Sequence, residues 1–210
     1  MIEPFGLYLI LTDPVVGYER ATEAAVAEGL RFVQLRMKNA PREAIVKTAH
    51  AMRAITRGTN TLFVVNDFVD VATEVDADGV HVGQEDMRLT EARHLWQVPG
   101  KVFGLSTHNG EQARAAVDSG PDYIGVGPVF RTPTKERPDP TLGLDAMERI
   151  VRTAPVCSVA IGGIDAGNLP DVLAHGARNF TVVRAVNRSG EPREEIRRLM
   201  DIWREACGSR

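Results

Sequence analysis

Cysteine is nearly absent. Cys157 and Cys207 are the only two in 210 residues, too few for a disulfide framework or a zinc site, so a reducing compartment is expected. Long apolar runs are missing as well. The apolar stretch 5–11 is too short for a signal core or a membrane span, and Met1-Ile2-Glu3-Pro4 has no basic leader. These features predict a cytoplasmic protein with no membrane partner. Neither sign of charge dominates: 25 basic residues face 28 acidic ones, a net charge of −3, which gives no general attraction for nucleic acid. No Gly/Ser-rich linker or shift of composition divides the chain, so residues 1–210 are expected to form a single domain. Aromatics are sparse at 6%, but 43% hydrophobic residues suffice for a sizeable core. Lysine is scarce too. Lys38, Lys47, Lys101 and Lys135 stand against 21 Arg, a bias that codon usage explains and that makes each lysine in a motif conspicuous.

Short apolar, β-branched runs recur at 7–11, 32–35, 62–65, 79–82, 102–105, 123–126, 156–161 and 180–183. Several are apolar at consecutive positions, as in strands covered on both faces. Helices are expected between them at 19–29, 42–57, 68–75, 110–119, 144–153 and 166–175. A final amphipathic helix at 191–204 would carry Ile196, Leu199, Met200 and Trp203 on one face. The helix-to-strand junctions look alike, with a small turn residue and then a renewed apolar run: Ala-Glu-Gly-Leu-Arg-Phe-Val, Asp-Ala-Asp-Gly-Val-His-Val, Ala-His-Gly-Ala-Arg-Asn-Phe. Eight such units predict an α/β fold, a TIM (β/α)8 barrel. A doubly wound sheet shares the alternation but usually has fewer strands and a glycine cradle after the first. Here Thr12-Asp13-Pro14 follows strand one, and no Gly-x-Gly-x-x-Gly fingerprint occurs.

In such a barrel the chemistry sits at the carboxyl ends of the strands. Strand two runs out as Gln34-Leu35-Arg36-Met37-Lys38, and period-two alternation points Gln34, Arg36 and Lys38 to one side. Two cations and an amide there suit a diphosphate, or else form a solvated strand end. Strand three ends in Asn66-Asp67 and strand four leads into Gly83-Gln84-Glu85-Asp86. Carboxylates on neighbouring strands can share a magnesium ion with substrate phosphate; taken singly, each also reads as a helix cap or a turn. Ser106 and His108 follow strand five, Ser106 as a hydrogen-bonding group and His108 as a proton-transfer group or a helix start. His81, inside strand four, reads as structural, and Asp13 as a turn residue. The segment 131–141, with three prolines, is a candidate lid bearing Thr132, Thr134 and Lys135, whose hydroxyls and ammonium suit an anion. Gly162-Gly163 after strand seven allow backbone amides to approach a phosphate at a helix opening near Asp165-Ala166, and equally serve a tight turn.

These motifs together resemble the thiamine-phosphate synthase family. The likeness runs through Gln-Leu-Arg-Met-Lys (34–38), Val-Asn-Asp (65–67), Gly-Val-His-Val-Gly-Gln-Glu-Asp (79–86), Gly-Leu-Ser-Thr-His (104–108), Gly-Val-Gly-Pro-Val-Phe-Arg-Thr-Pro-Thr-Lys (125–135) and Ile-Gly-Gly-Ile (161–164). The resemblance implies a transferase that joins 4-amino-2-methyl-5-hydroxymethylpyrimidine diphosphate to thiazole phosphate, releasing pyrophosphate. It implies that Gln34, Arg36, Lys38, Asn66, Ser106 and Lys135 hold the pyrimidine diphosphate, with Arg36, Lys38, Ser106 and Lys135 serving catalysis. Asp67 and Asp86 would bind Mg²⁺. Thr132, Thr134, the backbone at Gly163, and Val183-Arg184 would hold the thiazole phosphate. Relatives commonly carry Ser where Arg184 stands, and an arginine there adds a charge contact to that phosphate.

Three rivals share the motifs in part. A thiazole tautomerase paralogue would use His108, but that branch lacks the Asn-Asp and Glu-Asp pairs present here. An aldolase or isomerase would use Lys38 as a Schiff base. A sensor would keep the phosphate site without turnover. The sequence leaves the oligomeric state open.

Overall fold

The computed structural model describes residues 2–132 and 139–208. Eight parallel strands close a barrel in chain order: β1 (Gly6–Leu11), β2 (Phe32–Leu35), β3 (Leu62–Asn66), β4 (Gly79–Val82), β5 (Val102–Thr107), β6 (Tyr123–Val126), β7 (Cys157–Ala160) and β8 (Asn179–Val182). Closure is through β1 and β8, where Tyr8 pairs with Thr181. Around them lie α1 (Tyr18–Ala27), α2 (Arg42–Thr56), α3 (Val69–Glu74), α4 (Leu89–Leu95), α5 (Gly110–Ala116), α6 (Leu144–Thr153), α7 (Leu169–Ala174), α8 (Arg184–Asn187) and α9 (Pro192–Gly208). Among the described residues, no helix is long and apolar enough to cross a membrane.

The consecutive apolar character of the strands is explained by two cores. Outward residues such as Leu7, Leu9, Val33, Leu35, Val80 and Val82 pack under the helices. Inward ones build a smaller cluster of Tyr8, Phe32, Val64, Tyr123, Cys157 and Val159, closed from below by Ile2, Phe5, Leu62 and Val102. Because both faces are buried, burial alone does not reveal which residues point inward; only strand parity does.

Junction aspartates lock the amino-terminal end of the barrel. Asp78, just before β4, accepts from the Phe63 amide of β3 at 2.8 Å and from Arg53 of α2 at 2.9 Å. Asp122, just before β6, repeats this with the Phe103 amide and Arg93, both at 2.8 Å. These contacts account for part of the likeness between junctions.

Several expected boundaries shift. The segment expected as one helix at 110–119 is α5 followed by a separate 3₁₀ turn, Val117–Ser119. The helix expected from 166 starts at Leu169, because Asp165 Oδ1 accepts from the amides of Gly167 and Asn168 while Asn168 Oδ1 accepts from the Asp165 amide. These side chains make a turn where helix was expected. β7 ends one residue before Ile161 and β8 one before Val183. The short helices α4 and α8 were absent from the expected helices.

Candidate active site

Alternation along β2 holds beyond its last paired residue. Phe32 joins the inner cluster and Val33 and Leu35 the outer one, so Gln34 faces inward. Gln34 is 1% exposed and donates through Nε2 to the Tyr8 hydroxyl at 2.9 Å, while its Oε1 is buried with no donor among the described residues. Arg36 follows, half-buried. Burial holds its guanidinium below the usual value, and Asp67 and Asp86 pull it back up.

Lys38 ends the series beside both candidate metal ligands, its Nζ 2.9 Å from Asp67 Oδ2 and 3.7 Å from Asp86 Oδ2. The Asp67 carboxyl is pushed up to about 6, chiefly by burial, with Asp86 adding to the rise and Lys38 opposing it. Burial also acts to raise Asp86, but its hydrogen bond with Asp67 and the charge of Lys38 outweigh it and hold Asp86 below its usual value. A single ammonium therefore serves two crowded carboxyl groups. Asp67 sits at φ 64°, in the left-handed region that costs a residue with a Cβ about 1–2 kcal/mol. Two backbone bonds impose that conformation: Asp67 N–H donates to His81 O, and Phe68 N–H donates to Asn66 O, each at 2.8 Å. The alternative role as a helix cap is not realised, since α3 is capped at Phe68 without a side-chain bond. Asp86 does close a turn, accepting from the Gly83 amide at 2.9 Å.

Asn66, at the inward end of β3, is 7% exposed and its Nδ2 is buried without an acceptor among the described residues. Ser106 lies on the inner face of β5, its Oγ 2.9 Å from His81 Nε2. The site thus gathers Gln34, Arg36, Lys38, Asn66, Asp67, Asp86 and Ser106 at the carboxyl ends of β2 to β5. Two of its buried amides have an atom without a partner among the described residues, Gln34 Oε1 and Asn66 Nδ2.

The second phosphate region is only partly covered. Thr134 and Lys135 lie outside the described residues, as does most of the candidate lid; Thr132 is partly buried at its edge. Gly162 and Gly163 have φ of 103° and 68°. A Cβ on Gly163 would stand 2.8 Å from Phe130 Cβ, so glycine lets the loops after β6 and β7 approach each other. The expected helix opening beside them is displaced to Leu169. Val183 precedes α8, and Arg184, exposed, is its first residue. The His108 amide serves the helix start, donating to Gln112 Oε1, while its ring turns elsewhere: Nδ1 donates to Gly127 O, both bonds at 2.7 Å, and Nε2 lies 3.5 Å from Asp139 Oδ2. Asp13 is a turn residue as expected, at φ 47° with its amide donating to the Tyr18 hydroxyl at 3.0 Å.

The family model described as thiamine monophosphate synthase matches residues 7–186. The chain belongs to that family. The thiamine-phosphate synthase of Myxococcus xanthus is 42% identical over 206 residues, 96% of this chain and 94% of that protein. That of Synechocystis is 41% identical over 199 residues, but the match covers 95% of this chain and 57% of the relative, so the chain spans just over half its length. A solved thiamine phosphate pyrophosphorylase from Pyrococcus furiosus superposes with a TM-score of 0.87 at 33% identity, covering 97% of both chains.

Within this barrel, two site-adjacent residues escaped the sequence reading, Tyr8 and Tyr123, and His81, expected to be structural, joins them. All three point inward, and hydrogen bonds connect Gln34 to Ser106 through them. Their signal was parity. Tyr123 and His81 flank Gly104 of β5, where an added Cβ would stand 2.2 Å from Tyr123 Cζ and 2.4 Å from His81 Nδ1. Gly104 is in register with His81 of β4 and Tyr123 of β6, so glycine at this inner position marks large side chains on both neighbouring strands.

Proposed function

We infer that the chain is a thiamine-phosphate synthase, a transferase acting on two small phosphorylated substrates. In that reaction the C–O bond between the pyrimidine methylene and its diphosphate breaks, and pyrophosphate leaves with the electron pair. The thiazole nitrogen then supplies the pair for the new C–N bond. The pyrimidine ring stabilises the cation between these steps, so the site must neutralise the leaving group and position both partners rather than supply a strong base.

The observation that supports this most is the grouping of Arg36 and Lys38 with two carboxyl groups on one side of the barrel mouth, in a chain of this family. Arg36 and Lys38 suit the departing diphosphate. Asp67 and Asp86 fit a magnesium ion: they are crowded, they share one cation, and Asp67 is pushed toward its protonated form. Two carboxylates would leave such an ion to complete its shell with water and phosphate oxygens. When bound, Mg²⁺ would supply charge neutralisation for pyrophosphate. Gln34, Asn66 and Ser106 would then orient the aminopyrimidine. Thr132, Thr134, Gly163, Val183 and Arg184 would hold the thiazole phosphate, and Lys135 would join the diphosphate from the loop. A cytoplasmic location belongs to the same reading, supported by two free cysteines.

Purified protein given both phosphorylated precursors and Mg²⁺ is expected to form thiamine phosphate and pyrophosphate in equal amounts. Folded protein that forms neither would overturn the reading.

A further inference from the structure

β1 runs two residues beyond its last pairing with β8. Leu9 faces Val182; the chain of β8 then turns out of the barrel wall at Val183, with φ −118° and ψ −78°, and α8 follows. Continued in the same register, Arg184 would face Leu11. Its N–H would bond the carbonyl of Ile10 and its carbonyl the amide of Thr12, because a residue in a parallel ladder bonds the groups on either side of its partner. The side chain of Asn187 takes both places. Its Nδ2 donates to Ile10 O at 2.8 Å, and its Oδ1 accepts from Thr12 N–H at 2.9 Å. A carboxamide carries the donor and acceptor of a peptide unit, so one side chain replaces the ladder that β8 gives up.

Asn187 is 2% exposed. Its Nδ2 also donates to Val183 O at 2.6 Å, its main-chain amide donates to the same oxygen at 2.9 Å, and its carbonyl accepts from Val15 N–H at 2.9 Å. The side-chain partners fix the orientation of the amide. Turned over, it would set its oxygen against two carbonyls and its NH₂ against an N–H. A residue without both a donor and an acceptor at this reach leaves Ile10 O or Thr12 N–H without its bond. Asn187 thus joins the loop after β1 to the turn at Val183-Arg184 and ties that turn to the barrel wall.

We propose that Asn187 is a positioning residue for the thiazole-phosphate side of the site: by standing in for the lost ladder it lets the chain leave the barrel at Val183 and sets where the Val183-Arg184 turn stands at the mouth. This rests on the reading of that turn as a contact of the thiazole phosphate. The described residues assigned to the pyrimidine diphosphate lie at the ends of β2, β3 and β5, and none of them bonds to Asn187. Loosening the turn therefore weakens the hold on one substrate and spares the other.

Two measurements test this. Asn187→Ala removes the side-chain bonds to Ile10, Thr12 and Val183. In this variant the KM for thiazole phosphate should rise about tenfold or more, with the KM for the pyrimidine diphosphate within about twofold of wild type. A general loosening of the fold would not separate the two. An unchanged KM for thiazole phosphate in a folded variant, or an equal rise for both substrates, would overturn the proposal while leaving the synthase reading intact. The second measurement needs no substitution: deuterium exchange of the Thr12 amide in the wild type, followed by NMR. Exchange should slow about tenfold or more with thiamine phosphate bound, and change by no more than about twofold with the pyrimidine diphosphate alone. Equal slowing by both, or by neither, would contradict the proposal even if the variant failed to fold. Folded wild-type protein that forms no thiamine phosphate would overturn both the proposal and the synthase reading.

Discussion

Replacing Asn66 by leucine should make the protein more stable and nearly inactive. Asn66 is 7% exposed at the inward end of β3, and its Nδ2 is buried without an acceptor among the described residues. A dry donor of this kind costs about 1–3 kcal/mol. Leucine has almost the same branched shape and removes that cost. It adds apolar burial at about 25 cal/mol per Å² but is somewhat larger, so crowding offsets part of the gain. The net expectation is a stabilisation of about 1–2 kcal/mol. For a chain of this length each kcal/mol moves the melting midpoint by about 2–4 °C, so a rise of roughly 2–8 °C follows. On the proposed function the same change also deletes a donor to the substrate, and kcat/KM should then fall by about ten- to a hundredfold. Thermal unfolding followed by circular dichroism, together with steady-state kinetics on both substrates, checks the two halves. A lower midpoint, or undiminished turnover, would mean that this amide is not held unsatisfied for a ligand.

Other perturbations separate the ends of the barrel. Gly104→Ala puts a methyl group 2.2 Å from Tyr123 Cζ, inside a packed interior, and should cost at least about 1–3 kcal/mol while displacing the residues beside Ser106; a variant with wild-type midpoint and kinetics would contradict this. Asp78→Ala strands the Phe63 amide and leaves the largely buried Arg53 with Asp76 at 3.7 Å in place of a 2.9 Å pair, so urea unfolding should show a loss of about 2–4 kcal/mol. Because Asp78 lies at the amino-terminal face, kcat should stay at the wild-type value below the unfolding range. Arg197 and Arg193 hold the Glu28 carboxyl below its usual value of 4.5. Its contribution to stability is therefore complete above that pH and is lost as pH falls through the lower, folded value. Glu28→Gln should lower the melting midpoint at neutral pH, and the gap from wild type should close on acidification.

Much of this was legible in the sequence because strands buried on both faces are written as unbroken apolar runs. The runs at 32–35, 79–82 and 123–126 match β2, β4 and β6 end for end. The polar residues that follow β2 to β5 could be assigned to the mouth because direction and parity are local properties. The Tyr8–Tyr123–His81 chain was not legible in this way. It joins β1, β6 and β4, and nothing local says that Tyr8 and Tyr123 meet across a barrel interior. Helix α4, Leu-Thr-Glu-Ala-Arg-His-Leu, is too short to show a periodic face, and only Leu89 and Ala92 are buried in it. At α7 the sequence Asp-Ala-Gly-Asn reads as helix by its Asp but forms a turn, because Asp165 and Asn168 bond each other's backbone.

On the proposed function, pyrophosphate departs where Lys38, Asp67 and Asp86 meet. It is tested most directly by the rate of thiamine-phosphate formation as Mg²⁺ is titrated, in wild type and in Asp67→Ala. The rate should rise with Mg²⁺ to saturation in the wild type and collapse in the variant at every concentration. A wild type that is active without divalent cation, and equally active when Asp67 is removed, would contradict it.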